Sequence, residues 1–203
     1  MFIEPVDDDP IRQFTVPEER NLTRNLSALT RNVRLVDSKT NIYSIGLIRS
    51  WHSKLFDGVR EHAGRFRSND YGENILNFGT HRSIPRENVL DELEKHVITA
   101  HNLFAQLDEK ESSQKSSDFI RDVIKIALYL HAMLIKIHPF RDGNGRVGRL
   151  VITFTLSKYS IPPLVIEVPK QEYIDCLNHF YSSNNSDIEP LYDLAIRIYK
   201  NQI

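Results

Sequence analysis

The sequence contains a single cysteine, Cys176, among its 203 residues. A lone thiol excludes an internal disulfide, so the fold depends on a packed core, and a reducing, cytoplasmic setting fits. Neither sign of charge is in excess, because 26 Lys and Arg residues stand against 27 Asp and Glu residues. This balance argues against nucleic acid or an anionic membrane as the main partner, although a local basic cluster still binds phosphate.

Long uninterrupted apolar runs are absent as well. The longest apolar stretch, DFIRDVIKIALYLHAMLIKI (118–137), is broken by charged residues such as Arg121 and Lys125. These charges predict a buried or amphipathic helix and exclude a membrane span. The N-terminus is acidic at positions 7–9 and has no basic segment followed by an apolar one, so we expect no signal peptide.

Apolar residues recur at helical spacing over most of the chain, which predicts an all-α fold. With 40% hydrophobic residues, the chain is long enough for one domain with a sizeable core. We predict an N-terminal extension at residues 1–40, irregular at first and then helical, followed by the main domain at residues 41–203. A glycine-containing segment at about 68–82 interrupts the helices and fits a short hairpin.

The stretch HPFRDGNGRVGRL (138–150) contains the pattern G-x-G-x-x-G at Gly143, Gly145 and Gly148. In a dinucleotide-binding turn, this pattern directly follows a buried strand. Here the preceding apolar run has the length of a helix, and no alternation of strands and helices precedes it. The pattern G-x-x-x-x-G-K-[ST] is absent too, so neither common nucleotide loop fits.

The same stretch fits a different kind of phosphate site. A helix is predicted to end at Ile137 and a second helix to begin near Gly145. The start of the second helix presents N–H groups without acceptors and a partial positive charge. Gly143 lets the backbone approach an anion closely. Arg146 and Arg149 would share one face of the first turn and grip phosphate oxygens.

Two neighbouring residues suit the same chemistry. A carboxylate such as Asp142 beside a phosphate site is the usual arrangement for holding Mg²⁺, and the histidine side chain at position 138 is of a type that commonly serves as a general base. Each residue alone has a simpler explanation, because a histidine after a helix is commonly structural and an aspartate commonly caps a helix. Their occurrence together within residues 138–149 favours an active site.

Residues 138–149 resemble the signature of the Fic family, H-P-F-x-[DE]-G-N-G-R-x-x-R, and match it at every fixed position. The segments LFDGVREHAGRFR (55–67) and SDIEPLYDL (186–194) are also similar to the family, so the resemblance covers roughly residues 45–199. It implies a Fic fold, which is a helical bundle with a small β-hairpin flap. It also implies an enzyme that transfers AMP from ATP to a hydroxyl side chain of a target protein and releases pyrophosphate.

The resemblance implies a role for each residue of the signature. His138 would deprotonate the target hydroxyl, Asp142 would hold Mg²⁺ between the α- and β-phosphates, and Phe140 would anchor the loop in the core. Asn144 would also help to orient the α-phosphate. The other residues would bind the phosphates. The backbone amides of Gly143, Asn144 and Gly145 would form the anion hole, and Arg146 and Arg149 would bind the β- and γ-phosphates.

Arg146 favours AMP transfer over phosphate transfer, because family members of the kinase-like Doc type carry Lys near this position and a shortened signature. Other activities stay open at this point. The same fold could transfer another nucleotide, a phosphate or a phosphocholine group, or the chain could be a nucleotide-binding module without turnover. The last alternative is disfavoured by His138 and Asp142, because a binding module needs neither a base nor a metal carboxylate.

By the same resemblance, residues 68–82 form a flap whose strand edge pairs with the backbone of the target protein, a form of β-augmentation. Tyr173 and Asn184 would line the adenine pocket.

Many members of the family are inhibited by a helix with the pattern [ST]-x-x-x-E-[GN], whose glutamate pairs with the second signature arginine, here Arg149. The segment Thr15–Arg20 has the first spacing, but it ends in arginine and contains Pro17, a poor residue inside a helix. We therefore expect a separate antitoxin protein to supply the glutamate, as in toxin–antitoxin members of the family. We expect a cytoplasmic protein, while delivery into another cell and the oligomeric state stay open.

Two other residue pairs have the spacing of a site. His131 and His138 lie about two helical turns apart, but ligands such as carboxylates do not accompany them, so His131 is expected in the core. Cys176 and His179 share one face of a predicted helix, but no third group orients them, and we expect no catalytic dyad.

Overall fold

The structure, a computed structural model, describes residues 14–35, 42–68, 71–78, 81–111, 116–164 and 169–202. It is a bundle of α-helices with one small hairpin in this part of the chain, which confirms the predicted all-α fold. The helices are α1 (Val16–Arg34), α2 (Ile45–Leu55), α3 (Val89–Glu111), α4 (Ser117–Ile137), α5 (Asn144–Lys158), α6 (Lys170–Ser182) and α7 (Glu189–Gln202).

Helices α4 and α5 form the centre of the bundle. Helix α5 is buried along most of its length, which requires neighbours on several sides: α4 and α1 pack against it, and α2 contacts it as well. Gly148 lets α4 and α5 approach closely, because a Cβ there would lie 2.7 Å from Nδ1 of His131 and 3.0 Å from Cδ1 of Ile135. This close packing places the start of α5 beside the end of α4.

Helix α1 lies within the predicted N-terminal extension and packs against α5 and α2. It begins with a capping box, in which the Thr15 hydroxyl accepts from the N–H of Glu18 and the Glu18 carboxylate accepts from the N–H of Thr15. Pro17 lies in the first turn of α1, where backbone N–H groups have no acceptor within the helix. The missing N–H of proline therefore costs no hydrogen bond at this position. The expectation that Pro17 weighs against a helix here is therefore wrong. The predicted boundary near residue 40 lies outside the described residues.

A short antiparallel hairpin follows α2, with β1 at Asn77–Phe78 and β2 at His81–Arg82. It lies within the predicted flap (68–82) and confirms that a hairpin is present there. Positions 69, 70, 79 and 80 of this segment lie outside the described residues. A 3-10 turn then leads into α3. In the part of the chain that the structure describes, no helix has the length and apolarity needed to cross a membrane.

Candidate active site

The signature residues form a tight connection between α4 and α5. Helix α4 ends at Ile137, and His138 follows in the left-handed conformation, with φ of 51° and ψ of 59°. A residue with a Cβ is strained in this conformation, so the surrounding contacts must hold it there. Nδ1 of His138 donates to the carbonyl of Ile135 at 3.3 Å, which assigns the proton to Nδ1 and the basic lone pair to Nε2.

Gly143 is the N-cap of α5 and has a φ of 77°. A Cβ at this position would lie 2.3 Å from a ring carbon of Phe56. Both the positive φ and the ring contact therefore require glycine. The amides of Asn144 and Gly145 belong to the first turn, and the first bond inside the helix is donated by Val147 to the Gly143 carbonyl at 3.0 Å. The start of α5 thus offers amide donors beside His138, as an anion site needs.

Phe140 and Asn144 hold the loop together. The Phe140 ring is fully buried, which confirms its predicted core position. The Asn144 side chain accepts from the Phe140 N–H at 2.9 Å and donates to the Phe140 carbonyl at 2.8 Å. We expected this side chain to orient an α-phosphate, but here both of its polar atoms brace the loop. What Asn144 offers an anion in this arrangement is its backbone N–H.

His52 of α2 is a further residue of the site, and the sequence analysis missed it. Its ring is fully buried and stacks on the Phe140 ring, with centroids 3.8 Å apart and planes 4° from parallel. Nδ1 accepts from the Gly64 N–H at 2.8 Å, and Nε2 donates to the Asp142 carbonyl at 3.1 Å. Burial lowers the pKa of His52 to about 3, so the ring is neutral and both hydrogen bonds keep their direction.

The bond from His52 has a consequence for the anion site. The carbonyl and the N–H of one trans peptide point in opposite directions, so fixing the Asp142 carbonyl also fixes the direction of the Gly143 N–H. The only sequence signal for His52 was its place on the apolar face of α2, next to Trp51 and one turn from Leu55 and Ile48. A histidine on such a face is usually a core residue, so the signal does not identify a role.

Two charged residues of the signature, Asp142 and Arg146, are buried. Asp142 is 5% exposed and Arg146 is 8% exposed, and Oδ1 of Asp142 lies 3.6 Å from Nη1 of Arg146. The Arg146 guanidinium also lies over two aromatic rings, 5.6 Å from the Phe14 centroid and 5.8 Å from the Phe56 centroid. Burial strengthens the attraction between the Arg146 guanidinium and an anion. Arg149, one turn further along α5, is half-buried.

The start of α1 lies next to this charged cluster. The Phe14 ring has the Arg60 guanidinium 4.1 Å from its centroid, and Oε1 of Glu18 lies 3.3 Å from Nη1 of Arg60. The segment Thr15–Arg20, which we compared with the inhibitory pattern, is thus the first turn of a helix beside Arg146. Glu19, the residue at the glutamate position of that pattern, is exposed.

The residues predicted to line an adenine pocket lie in different surroundings. Tyr173 is buried, and its hydroxyl is 2.6 Å from Nε2 of His131, whose ring is fully buried. The predicted core position of His131 is therefore confirmed, and burial lowers its pKa to about 4. Asn184 lies in the exposed turn after α6 with a φ of 56°. The adenine contacts of Tyr173 and Asn184 stay a prediction.

No group of three or more His, Cys, Asp or Glu side chains among the described residues is arranged to hold a metal ion. Asp142 alone still fits Mg²⁺, because this ion is commonly bound by one or two carboxylates together with phosphate oxygens and water. In the Cys176–His179 pair, each side chain has another partner: Sγ of Cys176 is 3.5 Å from the Pro190 carbonyl, and Nε2 of His179 lies 2.7 Å from a carboxylate oxygen of Asp187.

Comparison with known proteins places this site in a family. Residues 43–156 match the sequence model of the Fic/DOC family, which is more than half of the chain. Among curated relatives, "Protein adenylyltransferase Fic" from Drosophila persimilis is 39% identical over 67 residues, which are 33% of this chain and 13% of that protein. The protein of the same name from Nematostella vectensis is 35% identical over 81 residues, 39% of this chain and 18% of that protein.

Solved structures show the same fold. A Fic-domain signalling protein from Bacteroides thetaiotaomicron has a TM-score of 0.69 at 19% identity, over 92% of this chain and 72% of that one. Fic-1 from C. elegans has a TM-score of 0.66 at 22% identity, over 100% of this chain and 52% of that one. An N-terminal Fic domain from Bartonella quintana, solved with ADP, has a TM-score of 0.62 at 20% identity, over 95% and 88%.

The helical bundle, the loop between α4 and α5 and the family match agree. The chain belongs to the Fic/DOC family. Its match to the curated adenylyltransferases covers less than a fifth of their length.

Proposed function

We propose that this protein transfers AMP from ATP to a hydroxyl side chain of a target protein and releases pyrophosphate. The observation that carries the proposal is the loop 138–149, in which a left-handed histidine at the end of α4 is followed by buried Asp142, the amide-bearing start of α5 and buried Arg146. The curated relatives named protein adenylyltransferase support the same reaction class.

In the proposed complex, the phosphates of ATP lie at the start of α5. The amides of Gly143, Asn144 and Gly145 bind one anionic oxygen, and Arg146 and Arg149 bind the phosphates that leave. Asp142 would hold Mg²⁺, which supplies charge neutralisation of the phosphates when bound. The short distance between Asp142 and Arg146 supports this arrangement, because a carboxylate and a guanidinium then meet the phosphates from adjacent positions.

His138 would act as the general base. Nε2 takes the proton of the target hydroxyl while its oxygen attacks the α-phosphorus of ATP. The new oxygen–phosphorus bond forms as the bond to the bridging oxygen breaks, and pyrophosphate leaves with that electron pair. The imidazolium then returns its proton to solvent. In such reactions, positioning and charge neutralisation account for most of the acceleration.

The hairpin β1–β2 would present the target. An extended segment of the target pairs with a strand edge of the hairpin through backbone hydrogen bonds, which places few demands on the target sequence. The location of the hairpin in the segment predicted to be the flap supports this part of the proposal.

The test is the intact mass of the purified chain after incubation with ATP and Mg²⁺, beside a His138→Ala control. We expect the wild type to gain the mass of one AMP moiety by self-modification and the control to gain nothing. A gain of one phosphate instead would indicate a kinase. A mass gain seen only with UTP, GTP or CDP-choline would show that ATP is not the donor. No gain with any donor, even with candidate target proteins added, would contradict the proposal.

We further propose that a separate cytoplasmic antitoxin restrains this activity by placing a glutamate on Arg149. The segment Thr15–Arg20 supports this proposal, because it departs from the inhibitory pattern at Arg20. Expression of the wild type alone should then stop the growth of the host, whereas expression of His138→Ala should not. Equal growth of both strains, at equal protein levels, would contradict the toxin hypothesis.

A further inference from the structure

Arg67 connects the flap to the loop that carries His138. Its side chain is fully buried, and it follows α2 in the segment that leads to the hairpin. The Arg67 backbone N–H donates to the Pro139 carbonyl at 2.8 Å, and Nε donates to the His138 carbonyl at 2.7 Å. Nη2 donates to the Ile137 carbonyl at 3.1 Å. One residue thus binds three consecutive carbonyls, which include the left-handed residue His138.

The other donors of the same guanidinium reach the flap. Nη1 donates to the carbonyls of Glu73 (3.1 Å) and Asn74 (3.0 Å), which precede β1. Nη2 also donates to the Ile84 carbonyl at 2.9 Å, which follows β2. A guanidinium has five N–H donors, and here they meet five backbone carbonyls. Both ends of the hairpin are therefore bonded to the group that holds His138.

Electrostatics explain how this buried cation is accommodated. Burial lowers the pKa of Arg67 only to about 10, and the nearby Glu73 carboxylate opposes the shift, so the guanidinium stays charged at neutral pH. The carbonyls of Ile137 and His138 lie at the C-terminal end of α4, where the helix dipole favours a positive charge. Charge-assisted bonds of this kind are shorter and stronger than neutral ones. The connection is thus a strong one.

We propose that Arg67 is a positioning residue that fixes the distance between the target on the flap and His138. The proposal rests on the proposed function, because it takes the flap as the site of the target and His138 as the base. The guanidinium acts through backbone carbonyls on both sides and touches neither ATP nor the target hydroxyl. The Arg67 guanidinium thereby positions both the flap, where the target binds, and His138. If this connection were lost, the flap would loosen and the target hydroxyl would move away from His138.

Lysine cannot replace this residue. An ammonium has three donors on one atom and cannot reach five carbonyls that lie around a planar fork. Gly72, at a φ of 82°, lies against the stem of Arg67, since a Cβ there would be 3.1 Å from Cγ. The matched control is Arg86 in the 3-10 turn before α3, whose Nη1 donates to the Gly72 carbonyl at 2.8 Å and which therefore contacts the flap from outside without reaching α4.

The experiment compares Arg67→Lys with Arg86→Lys in the full chain. For Arg67→Lys we expect the rate of AMP transfer at saturating ATP to fall about 100-fold, which is the effect of a displacement of about 1 Å. The dissociation constant for ATP should not change, because the start of α5 is untouched. Arg86→Lys should resemble the wild type in both measurements. A parallel loss of ATP affinity and transfer in Arg67→Lys, or an unchanged rate, would overturn the proposal.

Hydrogen exchange provides a second measurement that does not depend on the reaction. In the wild type, the backbone amides of Ile84, Arg67 and His138 should exchange with the same free energy of opening. We expect this because the Arg67 side chain connects the segments that carry them. In Arg67→Lys, the flap amides should exchange several-fold faster than those of α4. Independent protection of these amides in the wild type would overturn the proposal, even if Arg67→Lys fails to fold. Absence of AMP transfer in the wild type, with coupled exchange, would instead count against the proposed function alone.

Discussion

The loop at 138–143 and the hairpin at 77–82 lie on the two sides of Arg67, and they are stabilised in different ways. The loop packs against the rings of Phe56 and His52, and its backbone groups are bonded to side chains of α2 and α5. The hairpin has two residues in each strand and exposes neighbouring apolar side chains such as Ile75. Core packing therefore sets the position of the residues proposed to react, whereas the hairpin, the proposed target-binding element, is held at its ends by hydrogen bonds from the Arg67 side chain.

This difference predicts two kinds of variant. Changes in the loop should lower both stability and the rate of the chemical step, because packing and chemistry depend on the same contacts. Changes on the hairpin should leave stability and ATP binding unaffected and alter only the use of the protein target. The four predictions below test this distinction, from the largest expected effect to the smallest.

The largest effect is expected for Gly143→Ala. The new methyl group would lie 2.3 Å from the Phe56 ring, and alanine is disfavoured at a φ of 77°. We expect a loss of stability of about 2 kcal/mol or more and a loss of AMP transfer of about 100-fold. Thermal unfolding and the intact-mass assay measure the two effects.

Gly58→Ala is the matched control for this change. Gly58 also has a positive φ, of 66°, but a Cβ there would meet no atom within 4 Å. Only the backbone cost of about 1 kcal/mol should remain, with activity unchanged. Equal effects of the two substitutions would show that the contact with Phe56 does not set the position of α5.

Substitutions of His52 should cost less stability than Gly143→Ala, because they place no new atom against a ring. Two amide side chains, Gln and Asn, distinguish the two hydrogen bonds that the His52 ring makes. Gln places a donor near the position of Nε2 and keeps the bond to the Asp142 carbonyl, whereas Asn places its amide near the position of Nδ1 and keeps the bond to Gly64. If the Asp142 carbonyl sets the direction of the Gly143 N–H, His52→Asn should lower kcat by about 100-fold and His52→Gln by roughly tenfold. Both should destabilise the fold to a similar degree. Higher activity of the Asn variant would contradict this assignment.

The ends of α4 and α5 were predictable from the sequence, because their signals are local: Pro139 stops one helix, and the glycines after it permit the turn. The signature also identified the charged residues. The contacts of His52 and Arg67 were not predictable, because these residues lie 90 and 71 positions from their partners Asp142 and His138. Helical spacing and turn-forming residues report only on contacts between residues that are close in the sequence. They therefore do not predict which distant residues meet in the folded chain.

Acid should affect a histidine that is buried between α4 and α5, His131, more than one on the hairpin, His81. His131 faces the Tyr173 hydroxyl and the charge of Arg149, and burial lowers its pKa from 6.5 to about 4. The unfolded chain therefore binds a proton more readily, so stability from neutral His131 is present above pH 6.5 and is lost as the pH falls toward 4.

The free energy of unfolding, from urea titrations at pH 7.5 and 5, should fall more in the wild type than in His131→Gln. His81 on β2 is only partly buried, and burial lowers its pKa less strongly. His81→Gln should therefore retain most of the acid sensitivity of the wild type. Equal pH dependence of His131→Gln and the wild type would show that His131 is not held neutral by the core.

The smallest effect is expected on the exposed side of the flap. Ile75 precedes β1 and is 39% exposed, so Ile75→Ser should change stability by less than about 0.5 kcal/mol. The dissociation constant for ATP should not change. If the flap receives the target, the loss of this apolar contact should raise KM for the target, or slow self-modification at low protein concentration, while kcat is retained.

The control is Ile98→Ser on α3, at an even more exposed position, which should change none of these quantities. A lower kcat with unchanged KM in Ile75→Ser would indicate instead that the hairpin affects the position of His138, and the separation between a buried chemical site and a peripheral target site would then fail.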